Sequence, residues 1–291
     1  MGKWHPLSNL WVFILSLGMA ACAHAQIFTS QGHLSDFQSL SSDLQTHRVI
    51  ILGENHGFKV DQNQHLEVLK ALRDHGRPIH VGLEFFSYPY QADVDAYRLG
   101  TLAELDFLKK IKWGKPSFDY YKAQAVFPDY SRGERTWALN APNELTSQIA
   151  KVGIEGLSPE LHDLLPPDFS VGRDSYRDRF LKIIGGHFTD PKLAQNYFEA
   201  QSTWDDTMAW RIETFQRENP DAVLVVIVGE FHVQYGGGLP DRLKARGVQD
   251  VLVISQVNTD GMSQEEIQKE IQPDPEYGPR ADWIWAAPAV E

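Results

Sequence analysis

The sequence has 291 residues, of which 42% are hydrophobic and 23% are charged. A chain of this length and composition can bury the core of one large domain, or of one domain with an insertion, which excludes global disorder. Its formal net charge of −12 leaves no basic face to neutralise phosphates. Nucleic acid and an anionic lipid surface are therefore not expected as partners.

Residues 1–25 predict an export signal, because the apolar segment up to Ala21 is too short to be a permanent membrane span. Two cleavage sites fit. Met19 to Cys22 is typical of a bacterial lipobox with a lipidated Cys22, whereas Ala23-His24-Ala25 fits a small-x-small site. Since Cys22 is the only cysteine, no disulfide is expected. We expect a bacterial cell-envelope protein, either soluble in the periplasm or attached to a membrane through a lipid anchor alone.

An alternation of strands and helices follows a polar leader. Apolar, β-branched residues predict a strand at 48–52 that is covered on both faces and ended by Gly53. Val60 to His75 predicts a helix, and Ile79 to Leu83 predicts a second strand that ends at Glu84. A strand, a helix and a strand at this spacing predict a right-handed parallel crossover.

The remaining elements are read in the same way. The leader at 26–46 is expected to be irregular, with a helix near Leu34 to Leu44, and Tyr90 to Lys112 is expected to be helical. Thr136 to Asn140 predicts a third strand, Asn143 to Val152 predicts a helix with Asn143 as its N-cap, and 153–172 predicts a linker. Two helices are expected at 173–218, strands at 222–228 and 248–257, a helix that begins at Leu239-Pro240, and a peripheral segment at 272–291.

These elements predict an α/β fold with an open, mostly parallel sheet flanked by helices. A helical cap is expected to be inserted before the late Gly-Glu-x-His strand, over the active edge of the sheet. The expected domains are a core at 26–157 and 219–260, a cap at 158–218 and a C-terminal tail at 261–291.

The same strand end occurs twice in the sequence. Val49 to His56 and Val223 to His232 are both apolar runs that finish in Gly-Glu-x-His. Ligands bind beyond the carboxyl ends of parallel strands, and positions i and i+2 of extended chain point the same way. We therefore expect one polar site, whose candidate residues are Glu54, His56, Glu84, Glu230 and His232.

Three interpretations of this site stay open on the residues alone. Two imidazoles with two or three carboxylates suit a divalent metal such as zinc, manganese or iron. The same groups suit general acid–base chemistry without a metal. They would also serve as loop-end residues that cap helices and bind water.

The predicted cap carries an aromatic stripe from Tyr197 through Trp204 to Phe215, which is one face of a helix. The stripe is either a packing face or, in part, the lining of a pocket for a flat apolar cofactor. Four phenols in or near the cap could reach an iron, and phenolate ligation favours ferric haem. They are Tyr120, Tyr121, Tyr176 and Tyr197.

Four stretches together resemble the ChaN-like haem-binding lipoproteins, which form a superfamily with the Tiki proteases, TraB-type proteins and erythromycin esterases. They are Leu52 to His56, Trp113 to Tyr121, Ala200 to Ala209 and Gly229 to Pro240, in the family's order. The resemblance implies a capped α/β sheet, an envelope lipoprotein and a role in haem or iron uptake. It also implies a tyrosine-ligated haem near the cap, two protomers paired around stacked haems, and an outer-membrane haem or iron transporter as a partner.

By position, Tyr197, Tyr121 and Trp204 are the expected haem-binding residues. The Tiki branch implies an alternative, metal-dependent hydrolysis at the paired Gly-x-x-His motifs, for which the matching residues are His56, His232 and Glu84. A binding module for another small ligand at the same strand ends is the third hypothesis.

Overall fold

The computed structural model describes residues 25–184, 188 and 190–288. The predicted lipobox and Cys22 lie outside the described residues, as does all of the export signal except Ala25. Among the helices of the described residues, none has the length and apolar character needed to cross a membrane.

The described chain forms one sheet of eight strands with helices packed on it. The strands are β1 Gln26–Thr29, β2 Leu34–Ser35, β3 Val49–Glu54, β4 Ile79–Ser87, β5 Thr136–Asn140, β6 Val223–Gly229, β7 Val251–Asn258 and β8 Trp283–Ala287. Their order is β2-β1-β8-β7-β3-β6-β4-β5. Every pair from β8 to β5 is parallel, and β1 is antiparallel to both of its neighbours. The predicted α/β class and mostly parallel sheet are confirmed.

The α-helices of the described residues alternate with these strands. They are α1 Phe37–Leu44, α2 Lys59–Asp74, α3 Gln91–Arg98, α4 Glu104–Lys110, α5 Lys122–Ala125, α6 Asn143–Val152, α7 Pro159–His162, α8 Asp174–Ile184, α9 Pro191–Glu218, α10 Leu239–Ala245 and α11 Gln264–Ile271.

Two cores, one on each face of the sheet, explain the continuous apolar runs. Alternate side chains of β3 go to opposite faces. Ile50 and Leu52 join the core that includes Leu69 of α2, and Val49 and Ile51 join the core that includes Ile212 of α9. All residues of β3 and β6 are buried, because these strands lie inside the sheet with helices over both faces.

The two ends of the described chain are more ordered than the sequence predicts. Residues 272–291 were expected to be peripheral, whereas β8 lies in the sheet between β1 and β7. The leader was expected to be irregular, whereas β1 pairs with β8. Trp285 gives the physical reason. Its buried ring packs 5.5 Å from that of Phe37 on α1, and it belongs to the same core as β3.

Two smaller predictions also fail. The helical stretch from Tyr90 to Lys112 is divided into α3 and α4 near Gly100, whose φ of +74° is left-handed. Asn143 is the first residue of α6 rather than its N-cap, which is Pro142.

The aromatic stripe of α9 serves different purposes along its length. Met208, Ile212 and Phe215 are fully buried against the sheet. Tyr197, near the other end of the helix, is 43% exposed. The packing interpretation is therefore confirmed for the second half of the stripe, and the first half faces a different environment.

Candidate functional site

The two Gly-Glu-x-His copies lie side by side because β3 and β6 are adjacent parallel strands, with Glu54 opposite Gly229. Each glycine makes room for a side chain of the other copy. A Cβ on Gly229 would lie 2.9 Å from His56 Nε2, and one on Gly53 would overlap the Glu230 carboxyl group and Val233. The repeated glycine is thus a requirement of packing between the two strand ends.

Glu54 orients the first histidine. Its side chain is buried, and its Oε1 accepts hydrogen bonds from the Tyr121 hydroxyl at 2.6 Å and from His56 Nδ1 at 2.8 Å. Its Oε2 accepts a hydrogen bond from Gln62 Nε2 at 2.7 Å. A carboxylate bound at Nδ1 leaves Nε2 of the imidazole free to act. The His56 side chain is 41% exposed, so this nitrogen is accessible.

Asp205 performs the same task for the second histidine. Its Oδ1 lies 2.6 Å from His232 Nδ1, and its Oδ2 accepts a hydrogen bond from the Tyr176 hydroxyl at 3.0 Å. The sequence interpretation missed Asp205, although it lies in the stretch from Ala200 to Ala209 that carried the family resemblance. Helical spacing alone assigned that stretch to packing and did not indicate which polar residue of α9 faces a strand end.

Glu84 joins the two histidines. Its Oε1 lies 3.4 Å from His232 Nε2, and its Oε2 lies 3.9 Å from His56 Nε2 and accepts the Gly229 N–H at 2.6 Å. The pairing of β4 with β5 shifts register between Leu83 and Ser87, the stretch that contains Glu84. The polar groups therefore form a continuous row: Tyr121, Glu54, His56, Glu84, His232, Asp205 and Tyr176.

The charges of this row shift its pKa values strongly. Burial alone would raise the pKa of Glu84, but His232, His56 and the Gly229 N–H lower it to about 2. Burial alone would lower the pKa of His232, but Asp205 and Glu84 raise it to about 10. The pKa of His56 is also raised, because Glu54 and Glu84 outweigh its burial. His232 is thus an imidazolium at neutral pH, held between two carboxylates.

Glu230 lines the same cavity as His56 and His232, but it lies outside this row of polar groups. It begins a 3₁₀ turn at Glu230–His232, where the alternation of extended chain no longer applies. Its Oε1 accepts hydrogen bonds from Ser255 and from Arg280 Nε, the latter at 3.1 Å. Glu54 and His56 are hydrogen-bonded to each other, whereas Glu230 and His232 have the same spacing but bind different partners.

The predicted zinc, manganese or iron site is not supported. Within the part of the chain that the structure describes, no group of three or more His, Cys, Asp or Glu side chains is arranged to hold a metal ion. Hydrogen bonding gives the physical reason. Glu54 and Asp205 each bind an Nδ1 of a histidine, and Glu230 is directed to Arg280. The carboxylates orient the imidazoles instead of converging with them on one point.

Two cavities meet above the strand ends. The strand-end cavity has a volume of about 560 Å³, and its lining includes His56 and His232. The aromatic cavity has a volume of about 580 Å³, and its lining includes Tyr197 and Trp204. Three residues line both cavities: Phe180, Ile184 and Gln201. The helices before β6 and the strand ends therefore enclose neighbouring spaces.

The candidate tyrosines differ in their surroundings: Tyr121 and Tyr176 donate to buried carboxylates, whereas Tyr197 lines a cavity. Tyr121 is fully buried, donates to Glu54 and accepts the Gly57 N–H at 3.1 Å. Burial and the nearby Glu54 raise the pKa of Tyr121 well above its usual range. Tyr176 is buried against Asp205 in the same way. Tyr197 alone of these three lines the aromatic cavity, together with the predicted Trp204.

The structure is that of an α/β protein with a candidate ligand site at the carboxyl ends of its parallel strands. The pattern of the family described as "Haem-binding uptake, Tiki superfamily, ChaN" matches residues 40–243, and the chain belongs to this family. No curated protein is similar enough to count as a match.

Two solved structures are similar to this chain to different degrees. A structure described as cofacial haem binding to ChaN of Campylobacter jejuni is 16% identical, with a TM-score of 0.65, and the match covers 90% of this chain and 96% of that one. A histidine-to-asparagine mutant of an erythromycin esterase in its open conformation is 15% identical, with a TM-score of 0.48, over 91% of this chain and 83% of that one. At such identities the first likeness establishes the fold alone.

Proposed function

We propose that this protein binds haem in the aromatic cavity, with Tyr197 as the iron ligand. The main observation behind the proposal is that the Tyr197 phenol is exposed to the cavity and forms no hydrogen bond with a described residue. Tyr197 lines the cavity and is 43% exposed. Tyr121 and Tyr176, by contrast, donate to buried carboxylates. The family's description as haem-binding uptake supports the choice of ligand.

The cavity fits a flat apolar cofactor. Its volume of about 580 Å³ lies within the ~300–1,000 Å³ that is usual for small-molecule sites. The Phe188 ring packs 4.6 Å from that of Tyr197, and Phe180 and Ile184 complete an apolar wall. The buried Trp204 Nε1 has no hydrogen-bond partner among the described residues. When bound, haem would supply a ferric iron, for which phenolate is a suitable axial ligand.

Titration of the purified protein with hemin tests this proposal. We expect a saturable Soret band that is shifted, with affinity lowered at least about tenfold, in Tyr197→Phe, because the iron–oxygen bond is lost. Tyr120→Phe is the matched control, since Tyr120 packs in the core on the opposite face of the sheet. The absence of a saturable band, or an unchanged Tyr197→Phe spectrum, would overturn the proposal.

The wider role in uptake is part of the same proposal. It places the protein in the bacterial cell envelope, either lipid-anchored at Cys22 or cleaved after Ala25, with an outer-membrane haem or iron transporter as a partner and haem-dependent pairing of two protomers. The pattern of residues 1–25 and the family description support it. If Cys22 is lipidated, a radioactive fatty acid should label the wild-type protein in cells and should not label Cys22→Ala. Analytical ultracentrifugation should show dimers with hemin and monomers without it if haem pairs two protomers.

A second candidate function is hydrolysis at the strand-end cavity. It is favoured by His56, whose Nδ1 is bound by Glu54 while its Nε2 is accessible, which is how a general base is held. The imidazolium of His232 is suited to stabilise negative charge that develops beside it. A panel of esters and peptides tests this function. Turnover that disappears in His56→Gln would support it, and no turnover with any substrate would remove it.

A further inference from the structure

We infer that Arg179 marks a subsite for a carboxylate arm of the ligand, beside the strand-end cavity. The inference rests on the proposed haem function, and the carboxylate is then a haem propionate. Phe231, the variable residue of the second Gly-Glu-x-His copy, contacts Arg179, whereas Tyr197 lines the aromatic cavity.

Arg179 is a buried cation with no anionic partner among the described residues. It lies on α8 and is 5% exposed. Its Nη1 donates to Gln234 Oε1 at 2.7 Å and its Nη2 donates to the Phe231 carbonyl oxygen at 3.1 Å. Its guanidinium also lies 4.4 Å from the centre of the Phe231 ring. All of these partners are uncharged.

A buried charge without a counter-ion is unfavourable, because its hydration is lost and nothing of opposite sign replaces it. Desolvation lowers the pKa of Arg179, which is the direction expected for a cation in this position. Hydrogen bonds to neutral oxygens and the faces of aromatic rings compensate only in part. A ligand that carries an anion would complete the site.

Arg179 borders a third cavity, of about 430 Å³, in which the other charged groups have partners. Lys182 Nζ lies 2.6 Å from a Glu276 carboxylate oxygen, and Arg280 pairs with Glu230 and Glu270. The carboxylate of Asp274, which also lines this cavity, accepts backbone N–H groups of the turn that follows it. Among the cationic side chains that line this cavity, Arg179 is therefore the one without a carboxylate partner in the described part of the chain. Its planar guanidinium can form two parallel hydrogen bonds with a ligand carboxylate.

The third cavity is a neighbour of the strand-end cavity, and Arg179 donates to Phe231, which lines the strand-end cavity. The third cavity shares Asn55 and Ile183 with the strand-end cavity, which in turn shares Phe180 and Ile184 with the aromatic cavity. Arg179 is thus next to the wall that the ligand would contact. Lys151 lines the aromatic cavity and is exposed, which makes it the competing cation for a propionate.

Hemin and hemin dimethyl ester, whose two propionates are neutral, are the probes. We expect wild type to bind hemin at least about tenfold more tightly than the ester, because a charge-assisted hydrogen bond is replaced by a neutral contact. Arg179→Gln should remove this preference, and Arg179→Lys should retain part of it. Lys151→Gln tests the competing cation, and Lys70→Gln, at an exposed position outside the three cavities, is the matched control that should leave the preference unchanged. Circular dichroism establishes that each variant is folded. Comparing the ratio of the two affinities in each variant with the same ratio in wild type cancels differences in apolar burial between the probes.

The outcomes separate the two proposals. If neither compound binds, the proposed haem function fails, and this inference fails with it. If both compounds bind wild type equally, or if Lys151→Gln rather than an Arg179 variant removes the preference, haem binding stands and the assignment of Arg179 is overturned. If Arg179→Gln does not fold, Arg179→Lys and Lys151→Gln, each compared with wild type, still distinguish the two cations.

Discussion

Within the site, the two strand ends hold one another in place through their glycines. The side chain that fills the space above Gly229 is His56, and those above Gly53 are Glu230 and Val233. These neighbours differ in their freedom to move. Val233 is fully buried, whereas the His56 side chain is 41% exposed. The same substitution at the two glycines should therefore have different consequences.

We expect Gly53→Ala to lower the free energy of unfolding by about 1–3 kcal/mol, since the new methyl group overpacks buried side chains that cannot retreat. Gly229→Ala should lower it less, because the exposed His56 ring can move, but that movement should separate the ring from Glu84. Urea unfolding measures the first effect, and an NMR titration of the His56 ring measures the second. Equal loss of stability in both variants, with an unshifted His56, would contradict this packing scheme.

The ion-paired His232 predicts a definite pH dependence of stability. Its pKa is raised by folding from 6.5 to about 10. The imidazolium therefore contributes stability that is fully present below pH 6.5 and is lost as the pH rises through about 10. The difference in free energy of unfolding between wild type and His232→Gln should shrink over that interval. His75→Gln, at an exposed position, is the control, and a pH-independent difference for His232→Gln would contradict the prediction.

The position of each site residue could be predicted from the sequence only where the chain is regular. Glu54 and His56 follow an extended strand, so their common side followed from the period of two. Glu230 and His232 have the same spacing but lie in a 3₁₀ turn, and the extended rule did not show that Glu230 binds Ser255 and Arg280. Asp205 reaches His232 from a helix distant in sequence, and no local pattern encodes that contact.

Among the strands, β3 to β7 were predicted from the sequence, whereas β1, β2 and β8, near the two ends of the described chain, were not. β3 and β6 are buried on both faces, so their residues form uninterrupted apolar runs that can be recognised. β8 is only five residues long and follows a proline-rich stretch, so its sequence is not distinctive. It is a strand because β7 and β1 supply its hydrogen-bond partners.

The contribution of β8 to stability can be measured through Trp285. This side chain is 5% exposed and belongs to the core that contains Leu52 and Leu69. We expect Trp285→Ala to lower the free energy of unfolding by about 3–5 kcal/mol. Leu105→Ala, at a side chain that is 82% exposed, should change it little. If the two variants were equally stable, residues 283–287 would be peripheral, as the sequence had indicated.

In the molecule as a whole, α9 connects the stabilising core to the proposed ligand site. Ile212 and Phe215 near its C-terminal end are buried on the sheet, Asp205 holds His232, and Tyr197 near its N-terminal end lines the aromatic cavity. The sequence predicted the helix and its apolar face. It could not show which turns of the helix meet the core and which meet the cavity, because that depends on how α8 and α6 pack against it.

This arrangement predicts that the ligand stabilises the whole fold. A ligand that binds the native state alone, at a concentration of about 100 times its Kd, adds roughly 2.7 kcal/mol to the free energy of unfolding, which corresponds to a rise in Tm of roughly 5–10 °C for a chain of this size. Hemin should produce such a shift in wild type. Iron-free protoporphyrin, which retains the ring and propionates, should produce a smaller one, since it cannot bind the Tyr197 phenolate.

The comparison of the two porphyrins in Tyr197→Phe then identifies the source of the stabilisation. Because the variant keeps the aromatic ring and loses only the hydroxyl, hemin should stabilise it no more than protoporphyrin does. A shift with hemin that survives in Tyr197→Phe would place the iron ligand elsewhere. Equal shifts with hemin and protoporphyrin in wild type would mean that the cavity binds the ring by apolar contact alone, without a bond to iron.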